Sequence, residues 1–332
     1  MAGVSIATVS RALREETEGM VKPETKEDVR RIAQKLHYVP DRMAQSLRMR
    51  RTNTFGFLMN FGTDIINGYI QEILNGALYG LHKVRRDLKI ISSERFDSLE
   101  MVMRIHGLDG LILPHGYGKA FPNLTEECGK YKNKAWPVVV INDYNPRLHV
   151  NQLYSDNRKA SAVMVDYLTA NGYKNFYYIG SERESPDAET RKKAFLRAIR
   201  EYGIKFDPDK NIANGHFQEN GGYDETMKLL KSRPHFHGVI FCANDATALG
   251  SIRAIGEIGL RCPEDIAVVG FDGISIGEFS NPPLTTIKFE LYEMGKTAVG
   301  MLEKILSGKQ KRFIKQKFPF TLVERRSGMG FK

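Results

Sequence analysis

The run Ala2-Gly3-Val4-Ser5-Ile6-Ala7-Thr8-Val9-Ser10-Arg11-Ala12-Leu13 carries the chemistry of reading a surface rather than of breaking a bond. Gly3 suits a tight turn, because glycine tolerates backbone angles that other residues avoid. Ser5 is a good N-cap, its hydroxyl able to accept from a free amide of the first helical turn. Beyond it, Val9, Ala12 and Leu13 fall on one face at helical spacing, and Ile6, Ala7, Ser10 and Arg11 fall on another. Small side chains beside one Arg fit a DNA major groove, where methyl groups meet thymine and a guanidinium forks onto guanine. The same features describe an ordinary capped surface helix, so spacing alone leaves both readings open.

A second group of polar residues stands at the ends of apolar runs. Asn244-Asp245 follows Val239 to Cys242, Asp272 follows Val268-Val269-Gly270-Phe271, Asp156 follows Tyr154-Ser155, and Arg191 opens a helix after a loop. Carboxylate, guanidinium and amide groups together can satisfy the donors and acceptors of a polyol. Plainer roles are open to each: Asn244 and Asp245 can cap a helix, and Asp272 can hold a turn beside Gly273.

The elements that must position these groups follow from periodicity. From residue 54 onward apolar runs alternate with helical stretches, the sign of parallel α/β units. Strands are expected at Phe55 to Phe61, Lys89 to Ile91, Gly110 to Leu113, Val138 to Asn142, Phe176 to Gly180, Val239 to Cys242 and Ala267 to Gly270. A short strand ends at Ile287, and Phe318 to Val323 closes the sheet. Helices are expected at Ile70 to Val84, Arg158 to Ala170, Glu189 to Tyr202, Gly222 to Lys231, Asp245 to Ile258 and Leu291 to Leu306. Ligands of open α/β sheets sit beyond the carboxyl ends of the strands, here between two similar halves. At the N-terminal end, Arg14 to Met20 reads as a loop, and Lys22-Pro23-Glu24 opens a second helix with Pro near its first turn. Val29, Ile32, Ala33 and Leu36 give that helix one apolar stripe.

Composition narrows the classes. With 332 residues and 42% hydrophobic content the chain can build two or three globular units. No run is long and apolar enough to span a membrane, and no charged-then-apolar signal segment opens the chain. Cys128, Cys242 and Cys262 lie far apart without metal-type spacing, as expected of buried thiols in a reducing cytoplasm. A net charge of +10 and a pI near 9.3 favour a polyanionic partner.

The wording Ala-Gly-Val-Ser-x-x-Thr-Val-Ser-Arg-x-Leu resembles the turn and recognition helix of the lactose-repressor (LacI-type) family of bacterial transcription factors. The family pattern continues through Val21, Thr25, Val29, Leu36, Tyr38, Pro40, Arg42, Ala44, Leu47 and Thr54, and the resemblance spans essentially the whole chain. It implies an α/β protein: an all-α helix-turn-helix end over 1–39, a hinge helix and linker over 40–53, and a two-lobed, periplasmic-binding-protein-like core of parallel sheets over 54–332. The family places another helix before the turn, whereas Met1 stands beside it here, so the helix-turn-helix is expected to be incomplete: a fragment, a misplaced start or a natural truncation. A chain without that helix is expected to bind its operator weakly and with strong salt dependence.

Further roles come from the same resemblance. Ser5, Ile6, Ala7, Thr8, Ser10 and Arg11 would face DNA. Pro40 to Arg48 resembles the hinge helix, with Leu47 the wedge in the minor groove and Arg42, Arg48, Arg50 and Arg51 on phosphates. In sugar-responsive members, positions matching Asp156, Arg191, Asn244 and Asp272 bond hydroxyl groups, and Phe217 and Phe289 match stacking faces. Lys22 departs from the usual Ser-type cap. Phe61 to Gly68 departs from the usual wording at the first ligand loop, and Ser92 to Ile105 is shorter than the norm. Pro282 to Ile287 matches a family signature and is expected to belong to a crossover between the halves.

No enzyme motif competes. Gly116-Tyr117-Gly118 lacks the third glycine of a dinucleotide loop, and no P-loop, serine elbow or paired metal-ligand His is present. The basic stretch Lys309 to Lys317 reads as a solvated face. The expected protein is a cytoplasmic, homodimeric repressor without cofactor or metal, binding a palindromic DNA operator and a small-molecule effector, a carbohydrate. The alternative is a sugar-binding protein without specific DNA binding.

Overall fold

The computed structural model describes residues 3–13, 20–38, 52–59, 68–92, 96–114, 121, 123–141, 144–181 and 186–330. The chain divides into two compact units, residues 1–53 and 54–332. The expected hinge residues Arg42, Leu47, Arg48, Arg50 and Arg51 lie outside the described residues, as do residues 61–67 of the expected first ligand loop, Phe61 to Gly68.

In the first unit, helix α1 (Ile6–Ala12) is capped as its sequence dictates, Thr8 N donating to Ser5 Oγ at 3.1 Å. Its packed face turns inward: Ala12 is fully buried, and Val9 and Leu13 are half-buried. Helix α2 (Pro23–Lys35) starts at Lys22 without a side-chain cap, its first turn preset instead by Pro23. Along the apolar stripe Val29 is buried and Ile32 and Ala33 half-buried, while Leu36 is 70% exposed at the C-cap.

The second unit holds two six-stranded sheets. The first comprises β1 (Thr54–Met59), β2 (Asp87–Ser92), β3 (Gly110–Leu113), β4 (Val138–Ile141), β5 (Asn151–Ser155) and β11 (Lys315–Phe318), all parallel, in the order β11-β5-β4-β3-β1-β2. The second comprises β6 (Phe176–Gly180), β7 (Ile212–Asn214), β8 (Gly238–Cys242), β9 (Ile266–Asp272), β10 (Thr285–Phe289) and β12 (Phe320–Val323), in the order β12-β10-β9-β8-β6-β7. Only β12 there runs antiparallel to its neighbour. The central strands are buried along nearly their whole length, which is why they read as continuous apolar runs rather than alternating ones.

Helices α3 (Gly68–Val84), α4 (Leu99–His106) and α5 (Leu124–Gly129) belong to the first lobe. Helices α6 (Asn157–Ala170), α7 (Pro186–Glu201), α8 (Glu219–Ser232) and α9 (Asp245–Glu257) belong to the second. Helix α10 (Leu291–Leu306) returns to pack along α3. The chain therefore crosses between lobes three times, at β5 to α6, β10 to α10 and β11 to β12.

Several expectations need correction. Phe318 to Val323 is not one closing strand: Phe318 pairs with Ser155 in the first sheet and Phe320 with Phe289 in the second, so the chain changes sheets at Pro319. Pro282 to Ile287 is no crossover, because it leads into β10 beside β9, and Ile287 lies inside that strand rather than at its end. The basic stretch is only partly a solvated face, since Lys315 opens β11 and its Nζ donates to the carbonyls of Asn145 and Pro146. Strand β5 escaped the apolar pattern because its buried residues include amides. Asn151 Nδ2 donates to Trp136 O and Val138 O, its Oδ1 accepts from Gln310 Nε2 at 2.7 Å, and Gln152 Nε2 donates to Asn145 O at 2.9 Å. Buried amides with full partnering cost little, yet they look like a loop in sequence.

The α3–α10 contact depends on glycine. A Cβ on Gly76 would run into the Tyr292 carbonyl, and one on Gly295 into that of Ile73, so the two backbones pack directly. Gly76→Ala should lower stability by about 2 kcal/mol in urea titrations, the usual cost of overpacking. Gly300→Ala on α10, where a Cβ meets nothing within 4 Å, should be neutral or mildly stabilising. Equal effects of the two would show that the close approach is not what the helix pair depends on.

Candidate functional site

The cleft end of the second lobe is organised by Arg191. It sits in the second turn of α7, 3% exposed, and its guanidinium reaches three elements at once. Nε donates to Asn157 Oδ1 at 2.8 Å, Nη1 to the Ala243 carbonyl at 2.6 Å, and Nη2 to Asp272 Oδ1 at 3.0 Å. The plane rests on aromatic rings, 4.8 Å from the centroid of Phe271 and 5.4 Å from that of Phe289. A planar fork with fixed donor directions is what allows one side chain to bind the starts of α6 and α7 to the ends of β8 and β9.

Asp272 closes β9 in the left-handed region, at φ 104, a strained setting for a residue with a side chain. Burial pushes its carboxyl up to about 6 despite Arg191. Asp245 lies fully buried beneath, accepting from Thr286 Oγ1 at 2.5 Å and Ile274 N at 2.8 Å. Burial first, and then the charge of Asp272, hold Asp245 well above the usual carboxylate range. Arg191 keeps its proton: burial opposes this, but Asp272 and Asp187 outweigh it.

Asn244 N-caps α9, accepting from Thr247 N at 3.1 Å, while its Nδ2 donates to the Phe217 carbonyl at 3.1 Å. His216 and Phe217 both hold positive φ, 54 and 60, so the loop that brings Phe217 to Asn244 is strained as well. From the first lobe, α3 closes on this site. A Cβ on Gly68 would sit 2.9 Å from Ile274 Cβ, and Tyr69, whose hydroxyl donates to the Pro114 carbonyl at 2.9 Å, lies near enough to act on the charge of Arg191.

Of the residues expected from sequence, Arg191, Asp272, Asn244, Phe289 and Phe217 thus come together, but with unequal parts. Phe289 is 2% exposed and supports Arg191 from below rather than offering an open face. Phe217 contributes its backbone. Asp156 does not join: its Oδ1 caps α6 through Lys159 N at 3.0 Å, and its Oδ2 holds Lys317 Nζ at 2.7 Å. Burial alone would raise the Asp156 pKa, but Lys317 and the Lys159 amide bring it below the usual range. The group on Arg191 is instead the next residue, Asn157, whose Nδ2 also donates to Asp187 Oδ1 at 2.6 Å. Asn157 and Asp187 were not singled out for the cleft, and Asp245, named beside Asn244 at the end of its strand, lies buried beneath the ion pair. The available signal was position, for each stands in the first turn of a helix that follows a strand end.

The arrangement presents amide, carboxylate and guanidinium groups on a rigid apolar floor, which is chemistry for holding hydroxyls. The thiols of Cys128, Cys242 and Cys262 are buried, with burial pushing each up to about 12. Among the described residues no group of three His, Cys, Asp or Glu could hold a metal ion, and no helix is long and apolar enough to cross a membrane.

On α1 the expected reading face is turned outward. Ile6 is 86% exposed and Arg11 exposed, with Ala7, Thr8 and Ser10 half-buried between them. Ser5 and Thr8 bond each other at 2.9 Å, so their hydroxyls are committed to the cap.

Comparison with known proteins follows the same division. Residues 1–41 match the profile of bacterial regulatory proteins of the lacI family, and residues 165–328 match a periplasmic binding protein-like domain. The HTH-type transcriptional repressor PurR of Pasteurella multocida (strain Pm70) is 30% identical over 98% of this chain and 96% of its own length. Among solved structures, the lac repressor dimer bound to operator and the anti-inducer ONPF superposes with a TM-score of 0.82, at 24% identity, covering 99% of this chain and 97% of that one. A LacI family regulator from Enterococcus faecium with bound ribose superposes with a TM-score of 0.70, at 24% identity, over 84% of this chain and all of its own.

Replacing Arg191 by Met should leave the buried Asp272 carboxylate without its cation, at a cost of about 3–5 kcal/mol near pH 7.5. The deficit should shrink toward pH 5. A carboxyl raised in the folded state stabilises below its unfolded pKa and loses that contribution as pH rises through about 6, and removal of Arg191 moves Asp272 higher still. Urea unfolding at both pH values measures this. The same deficit at each would mean that Asp272 is not the group left stranded.

Proposed function

The chain belongs to the lacI family of bacterial regulatory proteins, and from that premise we propose that it is a transcriptional repressor whose DNA binding is set by a sugar held in the cleft. The observation that carries this reading is the collinear 30% identity with a transcriptional repressor along 98% of the chain, both units included. We divide the labour as follows. Residues 1–39 read the operator through the outer face of α1, with Ile6, Ala7, Ser10 and Arg11 at base edges and Ser5 and Thr8 fixing the helix start. Residues 40–53 couple, with Leu47 wedged into the minor groove and Arg42, Arg48, Arg50 and Arg51 on phosphates. Residues 54–332 sense the effector.

In the cleft, Asp272, Asn244 and Arg191 bond the hydroxyls, with Asn157 and Asp187 completing the polar surface. A sugar is favoured by this donor and acceptor set, and a neighbour of the same fold holds ribose. Asp156 acts from the rim, where Lys317 shares its carboxylate. The protein works as a homodimer, as its operator-bound fold neighbour does, because two-fold symmetry matches a palindromic site. Its place is the cytoplasm, where the DNA is, and it is not an enzyme. The effector shifts DNA binding only through unequal affinity for the open and closed lobes.

Two measurements test the reading. In gel shifts on the protein's own promoter, Arg11→Ala should weaken specific binding by roughly ten- to a hundredfold, the worth of one forked base contact, while binding to scrambled DNA stays the same. Equal loss on both would remove Arg11 from base reading. In calorimetry against a panel of mono- and disaccharides, Asp272→Asn and Asn244→Ala should weaken the sugar that binds by about tenfold or more. Normal binding by both variants would place the effector elsewhere.

A further inference from the structure

The basic stretch that opens at Lys309 is absorbed neither by the cleft nor by the reading helix. Residues 307–314 run immediately before β11, and residues 130–137 immediately before β4. Because every strand of the first sheet is parallel, both loops lie at the end where the strands begin. A row of backbone bonds crosses that end: Ala135 N donates to Lys311 O at 2.8 Å, Leu111 N to Pro137 O at 2.9 Å, and Asp109 N to Thr54 O at 2.9 Å. Thr54 starts β1, so the chain arrives from residue 53 at this same end.

Lys130, Lys132, Lys134, Lys309, Lys311 and Arg312 are exposed there, and none takes part in an ion pair among the described residues. Three of the carboxylates nearby are already engaged. Asp109 holds Arg86 Nη1 at 2.8 Å and Glu303 holds its Nε, while Glu127 accepts from Ser98 Oγ and from the amides of Leu99 and Glu100. Six clustered cations outside any ion pair cost stability by mutual repulsion unless a polyanion meets them. They are spread over two loops instead of converging on a pocket, so they suit a row of phosphates better than a single small anion.

We propose that this basic end of the first lobe is a second DNA contact, meeting backbone phosphates that flank the site read by α1. The inference rests on the DNA-reading role given above. Reach permits it: residues 39–51 span at most about 45 Å when fully extended, so duplex gripped by the first unit stays within range of the second. The contact adds affinity and salt dependence but no sequence choice, since phosphates are alike in every site.

The experiment uses the full chain, fluorescence anisotropy, and two labelled duplexes from its own promoter, about 20 and about 60 base pairs long, titrated across salt. The variant replaces the six cations by Gln. On the long duplex the slope of log affinity against log salt should fall by about 0.9 for each phosphate no longer neutralised, about 3 where half of the six cations meet one, with affinity weaker by roughly a hundredfold near 150 mM. On the short duplex, which lacks flanks, the variant should match the wild type; both proteins should keep their preference over scrambled DNA, and the free variant should melt no lower than the wild type, since it has lost the repulsion. Equal slopes on the long duplex would overturn the second contact, as would a variant that keeps its DNA slope but no longer binds phosphatidylserine vesicles that the wild type binds. A wild type without preference for the promoter would overturn the DNA-reading role itself, and this inference with it.

Discussion

The cleft depends on one buried ion pair. Arg191 and Asp272 meet at 3.0 Å with side chains 4% and 6% exposed, and almost every other feature at the strand ends follows from satisfying those two charges. A buried pair is stable only if its remaining hydrogen-bonding capacity is met. Arg191 meets it through Asn157 and the Ala243 carbonyl, which fixes where α6 must start and where β8 must stop. The rings of Phe271 and Phe289 complete the cradle and continue into a layer of Phe195, Phe241 and Tyr178 beneath the second sheet. Specificity and rigidity in such a site come from the same atoms. A hydroxyl entering it meets groups that are already oriented.

That dual use explains what the sequence could and could not reveal. Alternation of apolar runs with helical stretches is enough to place most strands and helices, because parallel strands buried on both faces have no other way to look. The strand Phe176–Gly180 and the helix Leu291–Leu306 come out at the expected residues. What escapes is polarity in the wrong place. Asn151, Gln152 and Ser155 make β5 look like a loop, although Asn151 bonds the Trp136 and Val138 carbonyls and Gln152 the Asn145 carbonyl.

The site shows the same limit on a finer scale. Residue type at a strand end points to the right neighbourhood, but only three-dimensional packing decides which of two adjacent polar residues turns inward. Asp156 and Asn157 are the case in point. The first has the negative charge that a cap and Lys317 can use at the surface. The second is neutral and can enter the interior beside Arg191 without adding another buried carboxylate. Asp245 follows the converse rule: a carboxylate placed beneath the ion pair is tolerated because Thr286 and the Ile274 amide bond to it and because burial favours its protonated form.

Coupling from this site to the rest of the chain has a physical candidate in α3. Its first residues touch the second lobe at Ile274 and lie near Arg191, and two residues past its end stands Arg86, tied to Asp109 and Glu303 where β1 begins. Seventeen helical residues make a rod about 25 Å long between the two places. Its contact with α10 runs through the close approaches at Gly76, Gly80 and Gly295, so the helices meet backbone to backbone and offer few side chains that could repack independently. A rod so mounted passes on displacement instead of absorbing it. A ligand that draws the start of α3 toward the second lobe must therefore shift Arg86 and the beginning of β1, or else bind with less than its full affinity. That difference in affinity is the only free energy available to alter how the first unit holds DNA.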